Sequence, residues 1–208
     1  MRHGEVDMAT MIVHDTRLHG KTPLNYNFVM LVNGNRSVDS MIRVVASSAR
    51  SRGRLSTLHI FCHGYEGHDN LGRQQTDLQE HGGFGLHLCK EGLDLYNVGK
   101  TRAWKGLIGR IVIFACAPAD TAAGNEGTEG DGQRLCGELA LWSGAEVIAA
   151  RDTQYYHQVQ ASYSGGRKIK DTIDFGDWEG PVYSFSPQTG YPTQIAPSAF
   201  NMAHPTTI

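Results

Sequence analysis

The sequence predicts an α/β protein on a mostly parallel sheet, and three observations carry that prediction. Residues 57–62 (Thr-Leu-His-Ile-Phe-Cys) and 110–115 (Arg-Ile-Val-Ile-Phe-Ala) are short apolar runs, β-branched and aromatic, bounded by turn residues. That is the pattern of strands buried on both faces. Residues 146–150 repeat it. Before the first run and again before the last the apolar spacing is helical, with Met41, Ile42, Val45 and Ala49 on one stripe and Leu135, Leu139 and Trp142 on another.

In chain order, residues 8–13 read as a first strand and 14–23 as a loop. Residues 27–32 read as a strand or as the start of a helical region, ended by the turn Asn33-Gly34-Asn35. Ser37 caps a helix over 38–49. The strand that follows runs to His63-Gly64. Residues 65–83 are polar and aperiodic, a loop of a length usually given to function or disorder. Residues 84–89 and 93–95 flank Lys90-Glu91-Gly92 as a hairpin, and 97–105 form a short helix. The strand ending at Cys116 comes next. Residues 118–130 are small, acidic and Gly-rich, which predicts a flexible loop. Asp131 caps a helix over 132–142, stopped by Ser143-Gly144, and the strand 146–150 follows. Residues 155–164 read as helical and 181–186 as a last strand. The tail, 187–208, reads as irregular. No internal repeat divides the chain, so residues 1–208 read as one domain.

Composition narrows the function classes. A net charge of −2 gives no electrostatic case for nucleic acid or an anionic membrane. No apolar run approaches the roughly 20 residues that span a bilayer, and the first residues lack the apolar stretch of a signal peptide. The four cysteines, Cys62, Cys89, Cys116 and Cys136, are scattered and contain no CxxC. A reducing, cytoplasmic setting is therefore expected, with signal-free secretion left open. His59, His63, His68, His81 and His87 with Cys62 fit no recognised zinc spacing, and no cofactor motif is recognisable.

Two strand ends carry the chemistry. In open α/β sheets sites gather beyond the carboxyl ends of the strands. His63 ends one predicted strand and Cys116 another, so the two could meet there as base and nucleophile. Alone, Cys116 reads more readily as a buried structural thiol than as a nucleophile. Strand alternation turns Cys62 to the face opposite His63, towards the core. Cys136 reads as core, and Cys89 sits uncommitted in the hairpin. Tyr155-Tyr156-His157 either lines a cleft or packs half-buried.

Four segments in order resemble the caspase-like cysteine peptidases, most closely the CHAT branch related to separase. They are Leu58-His59-Ile60-Phe61-Cys62-His63-Gly64, then Gly85-Leu86-His87-Leu88, then Ile111-Val112-Ile113-Phe114-Ala115-Cys116, then Ser143-Gly144-Ala145-Glu146-Val147-Ile148-Ala149-Ala150. The matching stretch covers nearly half the chain. The His-to-Cys separation, 116 − 63 = 53 residues, is close to the spacing of about 50 in caspases. The resemblance implies a caspase-hemoglobinase-like three-layer sandwich with a mostly parallel central sheet and an inserted β-hairpin. It implies His63 as general base, Cys116 as nucleophile, and the N–H groups of Gly64 and Cys116 as an oxyanion hole. It also implies that the connection after strand 146–150 helps build the pocket for the residue before the cleaved bond. An acidic Asp152 there would select Arg or Lys; a solvated loop residue or a helix cap is the alternative. The caspase pentapeptide is replaced by Phe114-Ala115-Cys116-Ala117-Pro118.

The expected activity is a cysteine endopeptidase acting on a protein or peptide substrate through a thioester acyl-enzyme. A catalytically inactive protein-binding module, or another thiol hydrolase or acyltransferase on the same scaffold, stands as the alternative. Neither nucleic acid nor membrane is an expected partner, and the oligomeric state is not specified by the sequence.

Overall fold

The computed structural model describes residues 9–22, 28–67, 82–159, 163–164, 167–168, 172–174 and 176–196. In chain order these form β1 (Thr10–Asp15), β2 (Val29–Val32), α1 (Val38–Ser51), β3 (Leu55–Phe61), β4 (His63–Tyr65), β5 (Gly85–His87), a 3-10 helix (Val98–Trp104), β6 (Ile108–Phe114), α2 (Gly132–Ser143), β7 (Glu146–Ala150), β8 (His157–Val159), β9 (Tyr163–Ser164), β10 (Arg167–Lys168), β11 (Thr172–Asp174), β12 (Val182–Phe185) and β13 (Pro192–Ile195).

Seven strands make one mixed sheet in the order β13-β12-β7-β6-β3-β1-β2. The pairs from β7 to β2 are parallel, and β12 and β13 add antiparallel at one edge. The fold is α/β with a mostly parallel sheet. The apolar runs at β3, β6 and β7 form its centre because they bury both faces at once.

One face carries the helices. Met41, Ile42, Val45 and Ala49 of α1 share a core with Trp104 of the 3-10 helix, with Leu135 and Leu139 of α2, and with Leu58, Ile60, Ile111 and Ile113 of the sheet. The Trp104 Nε1–H donates to the Ile42 carbonyl at 3.0 Å, which ties the 3-10 helix to α1. Ser37 caps α1, its Oγ accepting from the Ser40 N–H at 3.2 Å, a contribution of about 1 kcal/mol. Gly144 ends α2 at φ 66°, a left-handed conformation that glycine adopts without a Cβ penalty. On the other face Ile12, Phe61, Val112, Phe114 and Ile148 form a second core, closed by Ile173, Tyr156 and Trp178 rather than by a helix among the described residues.

The structure departs from the sequence expectations at five places. His63 does not end the strand before it; after Cys62 the chain leaves the sheet, and His63–Tyr65 pairs antiparallel with Gly85–His87. The expected hairpin is reduced to reciprocal hydrogen bonds between Leu86 and Leu93 beside that pair. Residues 118–130, expected to be flexible, are held in turns: Asn125 is fully buried, and the Gly127 N–H donates to Asp131 Oδ2 at 2.8 Å. The helix expected over 155–164 is replaced by β8 and β9, because Tyr155-Tyr156-His157-Gln158-Val159 is aromatic and β-branched and suits a pleated surface. The tail read as irregular contains β13, which pairs with β12. Met8, Asn27, most of the 65–83 loop with His68 and His81, residues 160–162 and residues 197–208 lie outside the described residues.

Candidate active site

The site lies where β3 and β6, parallel neighbours, end. Their last register pair is Phe61 opposite Phe114, and those rings stack at 4.6 Å between centroids on the helix-free face. His63 and Cys116 each follow by two residues. Cys62 joins the core beneath the helices, whereas the His63 ring lies beside Tyr156, which packs against the core of Phe61 and Phe114.

Gly64 brings the two ends into contact. A Cβ at this position would come within 1.8 Å of the Cys116 carbonyl oxygen and 3.1 Å of its nitrogen, so only glycine fits. The Gly64 main-chain N–H favours the Cys116 thiolate. The Cys116 N–H donates to nothing among the described residues. The next residue, Ala117, is buried at φ 46°, a left-handed conformation uncommon for a residue with a Cβ. Its N–H is held by the Asp152 carbonyl at 3.2 Å. Backbone held in such a region clusters at functional sites.

His63 is half-buried, with its ring 6.2 Å from Tyr156 and 6.5 Å from His87 between centroids. Its Nε2 lies 3.3 Å from the Arg17 carbonyl. A carbonyl only accepts, so Nε2 carries the proton and Nδ1 is left as the basic nitrogen.

Cys116 is half-buried, whereas Cys62, Cys89 and Cys136 are buried; all four are free thiols. Burial pushes the Cys116 thiol up, Glu66 and Glu179 add to this, and the Gly64 main chain opposes it. The Sγ–H donates to the Gln154 carbonyl at 3.5 Å. Burial also pushes the Cys89 thiol up to about 12 and the Cys62 and Cys136 thiols up strongly.

Gln154 builds the wall beside the sulfur. It is nearly fully buried. Its Nε2 donates to the carbonyls of Asp152 and Glu179 at 2.9 and 2.8 Å, and its Oε1 accepts from the Glu179 N–H at 3.1 Å. Glu179 Oε2 is buried without a hydrogen-bond partner among the described residues. The Glu66 carboxylate accepts from Thr153 Oγ1. Asp152 is placed differently. Its carboxylate pairs with Arg151 at 2.8 Å and lies against Gly180, where a Cβ would meet Oδ2 at 2.1 Å. The loop after β7 does reach the sulfur, but the carboxylates acting on it belong to Glu66 and Glu179.

Sequence reasoning missed Gln154, Glu66 and Glu179. Glu66 follows His63-Gly64 closely enough to be found; Glu179 lies 63 residues beyond Cys116 (179 − 116) and no local pattern marks it. Among the described residues no three His, Cys, Asp or Glu side chains converge as a metal-ligand set, and no helix is long and apolar enough to cross a membrane. No family model matches this chain, and neither a curated protein nor a solved structure matches it.

Proposed function

We propose that this chain is a cysteine endopeptidase with a caspase-like three-layer fold, nearest the CHAT branch, in which His63 and Cys116 form the dyad. The observation that carries the reading is the seating of Gly64 on the Cys116 main chain, where its N–H favours the thiolate, with His63 immediately before it in the chain. In this reading a thiol, an imidazole and two backbone donors work together at one pair of strand ends.

In this mechanism Sγ attacks the scissile carbonyl carbon while its proton passes to His63 Nδ1. The N–H groups of Gly64 and Cys116 receive the oxyanion. Such donors are worth about 3–4 kcal/mol each in other hydrolases. The C–N bond breaks and His63 gives its proton to the leaving amine. Water, deprotonated by His63, then attacks the thioester; the C–S bond breaks and the thiol takes the proton back. Because burial and two carboxylates hold Cys116 protonated at rest, the proton leaves as the sulfur attacks, without a standing thiolate–imidazolium pair. The same carboxylates favour a basic residue before the cleaved bond, with Glu66 and Glu179 as better placed selectors than Asp152.

The raised thiol pKa is also the observation that favours the competing reading, a caspase-like module that binds a partner and does not turn it over. Labelling with a peptidyl acyloxymethyl ketone at neutral pH decides between them. A peptidase reacts at Cys116 far faster than at Cys62, Cys89 or Cys136, and Cys116→Ala removes all turnover. Equal, slow labelling of all four thiols rejects the peptidase.

A further inference from the structure

At the end of β1 a half-buried ion pair touches both structures that hold His63. Asp15 is fully buried. Its Oδ1 accepts from Arg17 Nε at 2.8 Å and from the Arg17 main-chain N–H at 3.2 Å; its Oδ2 accepts from Arg17 Nη2 at 2.6 Å and from the Cys89 N–H at 2.8 Å. The guanidinium continues across the gap. Nη2 donates to the carbonyls of Cys89 at 2.6 Å and His87 at 3.4 Å, and Nη1 bonds His87 Nε2. Cys89 sits at φ 62°, left-handed for a residue with a Cβ, and both of its main-chain polar groups are bound to this pair.

The pair reaches His63 by two routes. The Arg17 carbonyl accepts the His63 Nε2–H. His87, bonded to the Arg17 guanidinium through its ring and its carbonyl, is the register partner of His63 across β4 and β5. We propose that Asp15 and Arg17 are positioning residues for the reaction, a clamp anchored on the buried Asp15 that fixes the orientation and tautomer of His63 by setting the Arg17 carbonyl against Nε2 and β5 against β4. The inference rests on the dyad reading of His63 and Cys116. A buried carboxylate bound by a planar guanidinium fork is a rigid element. Burial pushes the Asp15 carboxyl up, but the hydrogen bonds from Arg17 and Cys89 overcome it and hold it below the ordinary value, so the pair is ionised at neutral pH.

The alternative is that the clamp only ties β1 to β5 and stabilises the fold. Two readouts separate the roles. The first is the His63 tautomer, read from imidazole nitrogen shifts in protein labelled with 15N-histidine. The second is the division between kcat and KM on a fluorogenic peptide amide with Arg before the scissile bond. The proteins are wild type, Asp15→Asn and Arg17→Lys, each checked for folding by circular dichroism. The wild type is expected in the Nε2–H tautomer. Both variants are expected to show mixed tautomers and a kcat lower by at least roughly tenfold, as lost orientation of a catalytic base implies, with KM little changed. A folded variant that keeps the Nε2–H tautomer, or one that mixes tautomers at unchanged kcat, overturns the clamp. Should Asp15→Asn fail to fold, Arg17→Lys decides by the same criteria. A wild type without the Nε2–H tautomer overturns the proposal before any variant is made. A wild type that cleaves no peptide rejects the peptidase reading, and the tautomer comparison still tests the clamp.

Discussion

Gly64 lies so close to Cys116 that a single added carbon would come within 1.8 Å of the Cys116 carbonyl oxygen. Because the obstacle is backbone, no rotamer change relieves it. Gly64→Ala must therefore push β4, with His63 and the Gly64 N–H, away from the end of β6. Turnover and acyl-probe labelling at Cys116 are expected to fall by at least about a hundredfold, the loss typical of one oxyanion donor, with a stability loss of about 1–3 kcal/mol from overpacking. A Gly64→Ala protein that labels at the wild-type rate would show that this contact has no part in the chemistry.

The Cys116 thiol gives a pH prediction. Burial, Glu66 and Glu179 raise its pKa above the ordinary thiol value, so the thiolate fraction grows with pH and saturates only on the alkaline side of that value. Alkylation of Cys116 by neutral iodoacetamide is expected to climb through pH 7 to 9 without a plateau. Glu179→Gln and Glu66→Gln each remove a raising charge and shift the curve to lower pH. A plateau below pH 7 in the wild type would contradict the assigned environment.

Much of this site is legible in the sequence because strand ends are punctuated locally. The β-branched runs of β3, β6 and β7, the caps Ser37 and Asp131 and the stop at Gly144 are signalled by neighbouring residues. Alternation along the run before it places Cys62 in the core. What was missed depends on distant pairings. The strand character of His63–Tyr65 exists because Gly85–His87 pairs with it. β13 exists because β12 offers an edge. Glu179 belongs to the site because the Gln154 side chain bonds both main-chain groups of that residue. Asp15 and Arg17, ordinary polar residues after an apolar run, matter through bonds to residues 70–74 positions away.

His59 makes the fold acid-sensitive. It is nearly buried, its ring 5.8 Å from that of Phe114, and burial, with a smaller contribution from Arg110, lowers its pKa to about 4. In the unfolded chain it protonates near 6.5. The unfolded state thus binds the proton first as pH falls, and stability drops between about pH 6.5 and 4 by up to about 3 kcal/mol. Below about 4 the folded state also protonates and this contribution levels off. Denaturant midpoints measured across this range should show that slope in the wild type and a shallower one in His59→Phe.

Cys62 and Cys116 should separate stability from chemistry. Cys62 is buried in the core under the helices, so Cys62→Ala is expected to cost about 1 kcal/mol while leaving kcat near the wild-type value. Cys116→Ala, at a half-buried position, is expected to leave the unfolding midpoint nearly unchanged and to abolish turnover. Full activity in Cys116→Ala would exclude it as the nucleophile.

Under the proposed peptidase reading, specificity follows from where the negative charge stands. Glu179 Oε2 is buried without a hydrogen-bond partner among the described residues, and Glu179 and Glu66 both act on the Cys116 sulfur. Asp152 pairs with Arg151 and lies against Gly180. A substrate Arg or Lys would supply the charge-assisted partner that Glu179 lacks and would relieve the repulsion that disfavours the thiolate. Binding the basic side chain would therefore lower the thiol pKa and couple recognition to activation. A fluorogenic panel with Arg, Lys, Asp and Leu before the scissile bond is expected to show preference for Arg and Lys in the wild type. Glu179→Gln should reduce kcat/KM for the basic substrates by roughly tenfold or more, as loss of a charge-assisted hydrogen bond implies, and leave Leu less affected. Asp152→Ala should change the ranking little. Preference for Asp in the wild type would reject an acidic pocket altogether. Loss of the Arg preference in Asp152→Ala, with Glu179→Gln behaving as wild type, would return the selecting charge to Asp152.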